Sequence, residues 1–284
     1  MRTVYVNGNY VPEEEATVSV FDRGFLFADA IYEVTSILDG NLIDFDGHMK
    51  RLHRSLNELK MPFYMKDADL MAIHRELVSR NAITEGLVYL QISRGAADRD
   101  FIFPAASVPP TVVLFTQEKE LIDNALAKRG QKVITVDDLR WRRCDIKTVQ
   151  LLWASIVKNE AKVKGADDAW MVRDGFVTEG SSNNAYIVEG DGTIVTRSFS
   201  YDILSGITRT AVLKCAGEIG AKVEERSFTV DEAKVATEAF STSATGFVNP
   251  VVEIDGVKIG TGVPGPVVTR LREIYTETSR AVAV

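Results

Sequence analysis

Four short turn signals set the limits on what this chain can fold into. Asn7-Gly8, Asp174-Gly175, the Gly190-Asp191-Gly192 triplet and Asp255-Gly256 each separate runs of apolar residues. Asn-Gly and Asp-Gly pairs accept the positive φ angles of a two-residue turn, so each marks a tight antiparallel hairpin. Helical patterns lie between them. Met49, Leu52, Leu56 and Leu59 follow 3-4-3 spacing and define the buried stripe of a helix over 46–61, and a second helix is expected over 67–81. The runs GLVYLQISRG and TVVLFTQ read as a strand pair, and KVITVDD opens a later strand. A helix is expected from TVQLLWASIVKNEA, another from Ala211, Val212, Cys215, Ala216 and Ile219, a third over 230–236, and a last amphipathic one from Pro266. With no glycine-rich dinucleotide fingerprint, the pattern is α+β with hairpins dominating.

Composition narrows the function classes. The 284 residues suffice for two moderate domains, and 45% hydrophobic content is normal for a packed core. A formal net charge of −7 argues against nucleic acid as the main partner. No apolar run reaches the length of about 18 residues that a membrane span needs. The N-terminus reads directly as a hairpin, so neither signal peptide nor membrane association is expected, and the chain is placed in the cytoplasm. Cys144 and Cys215 sit in apolar surroundings and are expected to be reduced core residues. Three histidines without repeated His or Cys spacing make no metal site, and His48 and His53 read as ordinary.

Three segments carry candidate chemistry. Lys147 stands between the run Trp141 to Ile146 and the helix expected to follow, at what reads as the end of a strand. A lysine amine there is placed to form a Schiff base with an aldehyde cofactor, although most lysines are solvated surface residues. Glu179 falls near the end of the strand after the Asp174-Gly175 turn. A carboxylate in that position can bind a pyridine nitrogen and keep it protonated; it also fits a surface glutamate. Ser205-Gly206-Ile207-Thr208-Arg209-Thr210 is a small-residue turn running into a helix, whose unpaired first-turn N–H groups can hold a phosphate or simply form an ordinary cap. Arg51 lies beside the Met49 stripe, where its planar fork can reach a dianionic phosphate or stay solvated with Lys50 and Arg54.

In this order the segments closely resemble the fold type IV pyridoxal phosphate enzymes, the family of D-amino acid aminotransferases and branched-chain aminotransferases. The resemblance runs from VYVNGNYVPEEEATVSVFDRGFLFADAIYEV to STSATGFVNPVVEIDG, and FDRGFLFADAIYEV and RCDIKTVQLL are most similar to the D-amino acid branch. It implies a two-domain fold type IV architecture, with a smaller N-terminal domain over 1–120 and a larger one over 121–284 that carries the Schiff-base lysine. The cofactor, pyridoxal 5′-phosphate, would lie in the cleft between them. Lys147 would be the Schiff-base lysine and proton carrier, Glu179 the partner of the ring nitrogen, and Arg51 a phosphate ligand. Ile207 and Thr208 would add phosphate donors, and Leu204 would pack on the ring. Ser243, Ala244 and Thr245 would complete the phosphate site, with Ala244 where the family often has threonine. The implied reaction is transfer of an amino group from a D-amino acid such as D-alanine to a 2-oxo acid such as 2-oxoglutarate, by a ping-pong mechanism, in a homodimer.

Substrate recognition departs from the family pattern. Tyr32 and Arg99 match the tyrosine and arginine that bind the substrate carboxylate in the D-amino acid branch, but Phe101 stands where that branch has a histidine. Asp98 and Asp100 flank Arg99 and are positioned to compete for its charge. Losing a hydrogen-bond donor from a charged contact costs about 1.5–3 kcal/mol if nothing replaces it. A branched-chain L-amino acid aminotransferase, an (R)-amine transaminase and an aminodeoxychorismate lyase therefore stay open on the same scaffold, with a non-catalytic binding module as the most distant reading.

Overall fold

The computed structural model of the protein describes residues 1–218 and 220–284, so Ile219, counted above in a helical pattern, lies outside the described residues. The chain divides into two compact units. The first comprises Met1–Glu120, Ile146–Gln150 and Val282–Val284, and the second Leu121–Asp145 and Leu151–Ala281.

In the first unit the elements run β1 (Thr3–Val6), β2 (Asn9–Pro12), α1 (Arg23–Phe27), β3 (Ala30–Leu38), β4 (Asn41–Leu42), α2 (Phe45–Glu58), α3 (Asp67–Arg80), β5 (Glu85–Ser93) and β6 (Thr111–Glu118). Among the described residues its strands form an antiparallel sheet in the order β2-β1-β6-β5-β3-β4. Alternation along β5 sorts the two faces. Val88, Leu90 and Ile92 pack against Met49, Leu52 and Leu56 of α2 and Leu70 and Leu77 of α3. On the opposite side of the strand Tyr89 stacks between Tyr32 and Phe115, with centroids 5.5 and 4.8 Å apart.

The second unit holds α4 (Ala125–Arg129), β7 (Gln131–Asp137), α5 (Leu152–Val163), β8 (Asp168–Arg173), β9 (Phe176–Gly180), β10 (Asn184–Val188), β11 (Ile194–Thr196), α6 (Ile207–Glu218), β12 (Val223–Glu225), α7 (Val230–Val235), β13 (Glu238–Ser243), β14 (Phe247–Ile254), β15 (Val257–Lys258) and α8 (Pro266–Val282). Its sheet follows the order β12-β11-β10-β13-β14-β7-β8-β9, with β15 on β14. Among the described residues three pairings are parallel: β11 with β12, β14 with β7, and β7 with β8. Both faces of the central strands are covered. Tyr186, Phe240 and Val248 pack with Val212 and Cys215 of α6 and Leu271 and Tyr275 of α8. Ala185, Ile187, Ala239 and Val251 pack with Trp170, Phe228 and Ala233 of α7. This explains why every residue of β10 is buried instead of every second one.

The hairpins stand at the expected turns; Asn7 and Gly8 have φ of 48° and 98°, and Asp174 and Gly175 have 52° and 83°. Both cysteines are buried and unbridged. Two expectations need correction. The helix after Lys147 begins at Leu152, because Thr148 and Val149 instead follow β3 through a bridge to Ile31 and a bond from the Val149 N–H to the Ala30 carbonyl. For the same reason Lys147 groups with the first unit, not the second, and occupies an irregular segment, not the end of a strand.

Candidate active site

On the first unit, the site begins with the backbone of β3. The Tyr32 N–H donates to the Lys147 carbonyl at 3.0 Å, and the Lys147 N–H donates to Ser55 Oγ of α2 at 3.3 Å. These bonds bring Lys147 beside Tyr32, and its Nζ lies 4.2 Å from the centre of the tyrosine ring. Lys147 is half-buried and makes no ion pair among the described residues, so its amine is not committed to a carboxylate.

Arg51 is buried, not solvated with its charged neighbours. Its Nε and one terminal nitrogen donate to the two oxygens of Glu33 at 2.8 and 2.7 Å, and His48 Nδ1 lies 2.7 Å from the same carboxylate. His48, ordinary by sequence, is thus part of a buried hydrogen-bonded trio with Glu33 and Arg51. Burial by itself raises the Glu33 carboxyl; the Arg51 charge and hydrogen bonds and the His48 contact outweigh it and bring it down to about 2. Glu33 fixes the plane of the Arg51 guanidinium from a neighbouring strand.

Arg99 is exposed, 5.3 Å from the ring centre of Phe27 and 5.7 Å from that of Phe101. The expected competition from its flanking aspartates is absent: among the described residues Arg99 pairs with neither. The Asp100 carboxylate accepts from the Ile102 N–H, and the Asp100 carbonyl accepts from buried Arg23 at 2.7 Å. Phe101 is 79% exposed and meets Phe27 edge-on at 5.6 Å, so it offers an apolar surface where a histidine would offer a donor.

On the second unit, the β8–β9 hairpin carries Glu179, which is buried and not a surface glutamate. One of its oxygens accepts from Arg140 at 2.5 Å; the other accepts from Asn184 Nδ2 at 3.0 Å and the Leu204 N–H at 3.1 Å. Burial pushes its carboxyl above the usual range, with Arg140 and the Leu204 N–H pulling the other way. Asn184 also donates to the Leu204 carbonyl at 3.0 Å, which ties the loop before α6 to this carboxylate. A Cβ on Gly206 would fall 2.1 Å from Asn184 Oδ1, so glycine there lets the asparagine reach both partners. Ile207 and Thr208 form the first turn of α6, whose N–H groups the helix cannot pair internally. Ser243 ends β13, and its Oγ accepts from the Gly246 N–H at 3.0 Å; Ala244 and Thr245 occupy the turn between.

The sequence reading missed Glu33, Arg140 and Asn184. Only Asn184 carried any signal, as a second asparagine in a run otherwise turning into an apolar strand.

Comparison with known proteins shows the family. The family model described as amino-transferase class IV matches residues 30–254. The chain therefore belongs to the class IV aminotransferases. It is 38% identical to the D-alanine aminotransferase of Staphylococcus aureus strain N315 over 273 residues, 96% of each chain, and 38% identical to that of Bacillus licheniformis over 289 residues, 98% of this chain and 99% of the other. The solved branched-chain aminotransferase of the thermophilic archaeon Thermoproteus uzoniensis, with norvaline, has a TM-score of 0.87 at 26% identity, over 99% of this chain and 95% of that one.

The donor set fits pyridoxal 5′-phosphate, the cofactor of this family. A buried carboxylate at Glu179 suits a ring nitrogen that carries a proton, an amine without a carboxylate partner at Lys147 suits an aldehyde, and the glycine at 206 keeps the start of α6 open to Asn184.

Proposed function

We propose that this protein is a pyridoxal 5′-phosphate-dependent transaminase that moves the amino group of a D-amino acid of the D-alanine type to a 2-oxo acid such as 2-oxoglutarate. The observation that carries this reading is the similarity, over nearly the full length, to D-alanine aminotransferases.

When bound, the cofactor supplies an aldehyde that condenses with amines and a ring that accepts electrons from the substrate Cα. Lys147 would hold the aldehyde through Nζ and, as a free amine, would take the proton from the substrate Cα. Glu179 receives the ring nitrogen and keeps it protonated. Arg51, oriented by Glu33, would serve the phosphate from the first unit, and the N–H groups of Ile207 and Thr208 with Ser243, Ala244 and Thr245 would serve it from the second. Leu204 would pack on the ring. Tyr32 and Arg99 bind the substrate carboxylate, and Phe101 leaves that contact one donor short. The keto acid departs before a second keto acid arrives, which gives ping-pong kinetics. We place the enzyme in the cytoplasm as a homodimer; among the described residues no helix is long and apolar enough to cross a membrane.

The likeness to a branched-chain aminotransferase, at 26% identity, keeps an L-amino acid donor as the second reading. Spectra of the holoenzyme taken with D-alanine, L-leucine or an (R)-aryl amine, and no acceptor, separate the two. Conversion to the pyridoxamine form with D-alanine is the expected result. Conversion with L-leucine alone establishes the second reading, and conversion with the aryl amine alone overturns both.

A further inference from the structure

Behind Glu179 lies a run of charges that no role proposed above uses. Arg140, which holds Glu179, turns the rest of its fork onto Asp138, with Nε 2.9 Å from one oxygen and a terminal nitrogen 2.8 Å from the other. The Asp138 side chain is fully buried. Thr178 Oγ1 donates to it at 2.8 Å, and Arg173 approaches its other oxygen at 3.1 Å. Arg173 in turn donates to Asp202 at 2.5 Å, and Asp202 accepts from Arg197 at 2.9 Å. The signs alternate from Glu179 through Arg140, Asp138, Arg173 and Asp202 to Arg197, three of each.

We propose that Asp138 is a positioning residue for the cofactor ring: it fixes the plane of Arg140 and cancels its charge, and so sets both the aim of Glu179 and the local field in which a protonated ring nitrogen is held. This rests on the reading that Glu179 receives that nitrogen. The geometry gives two reasons. A guanidinium gripped through Nε and one terminal nitrogen keeps a single direction for its remaining nitrogen, the one on Glu179. And with Asp138 made neutral, three arginines would face two carboxylates, an excess positive charge in a partly buried network where it is less screened than at the open surface. That excess opposes a second cation, the protonated ring, next to Glu179. The local sequence supports the arrangement. Asp138 follows β7 directly, its N–H donates to the Val172 carbonyl of β8, and the β8–β9 hairpin brings Thr178 to Asp138 and Glu179 to Arg140. Asp138 itself lies below the usual carboxylate range: burial raises it, and the Arg140 bond and charge, Thr178 and Arg173 bring it down, so it is held as an anion.

The test compares two ligands, pyridoxal 5′-phosphate and its analogue with carbon in place of the ring nitrogen. They share the aldehyde and phosphate and differ only where Glu179 acts. Dissociation constants are measured for wild type, Asp138→Asn and Glu179→Gln. Wild type is expected to prefer the natural cofactor, and both variants to lose that preference, Asp138→Asn by about tenfold, the change in proton occupancy made by moving a pKa by one. A merely structural role for Asp138 would weaken both ligands alike and leave the ratio unchanged. If Glu179→Gln abolishes the preference and Asp138→Asn keeps it, the proposal is overturned while the role of Glu179 stands. If Glu179→Gln leaves the ratio at the wild-type value, the role of Glu179 fails and the proposal with it. Thr178→Val, which removes only the hydroxyl on Asp138, carries the same test should Asp138→Asn not fold; a lowered ratio supports the proposal and an unchanged one overturns it.

Discussion

Glu33 has no exposed side-chain surface, yet its carboxylate takes two nitrogens of Arg51 and one of His48. An isolated buried carboxylate would be expensive, and these partners reverse that cost. Its carboxyl sits at about 2, below the ordinary 4.5, so the stabilisation is fully present above pH 4.5 and is lost as pH falls through the folded value. Glu33→Gln is expected to lower stability at pH 7 by about 3–5 kcal/mol, since it leaves the buried Arg51 charge without its carboxylate partner. Urea unfolding at pH 7 and pH 3 checks this. The gap between the two proteins should narrow at the lower pH, and equal midpoints at pH 7 would contradict the role given to Glu33.

Gly206 belongs to the scale of the element, because its effect is to let a loop, a strand and a helix meet. Asn184 at the start of β10 reaches Glu179 and Leu204 only while position 206 has no side chain. Gly206→Ala is expected to displace the Asn184 amide, cost about 1–3 kcal/mol of stability as overpacking does, and weaken cofactor binding. A thermal melt and a cofactor titration check it; unchanged values in both would refute the arrangement. The hairpins were legible from sequence because a turn with φ above zero demands particular residues locally, as at Asn7-Gly8 and Asp174-Gly175. The stripe on α2 was legible for a similar reason, since spacing alone reveals it. The start of α5 was not, because what holds Thr148 and Val149 extended is β3, more than 100 residues earlier. Arg140 and Asp138 escaped notice because an arginine and an aspartate in a polar loop look alike whether solvated or buried. Only the β8–β9 hairpin, folded back beside them, distinguishes the two.

For the whole molecule, the functional reading converges on one residue. The chain leaves its first unit after Glu120, returns to it for Ile146–Gln150, and leaves again at Leu151. That short return is pinned by backbone bonds on both sides of Thr148, and Lys147 is its one amine. The chain is similar over nearly its full length to D-alanine aminotransferases, and the family match spans residues on both sides of this segment. Tyr32 and Arg51 are arranged on the same unit, one beside the Lys147 amine and the other on the helix whose Ser55 accepts the Lys147 N–H. The most direct measurement is borohydride reduction of the holoenzyme followed by peptide mass mapping, which fixes the cofactor to whichever amine holds its aldehyde. A single phosphopyridoxyl group on Lys147, absent from Lys147→Ala, is the expected result; the group on any other lysine, or no covalent product from cofactor-saturated protein, would contradict it.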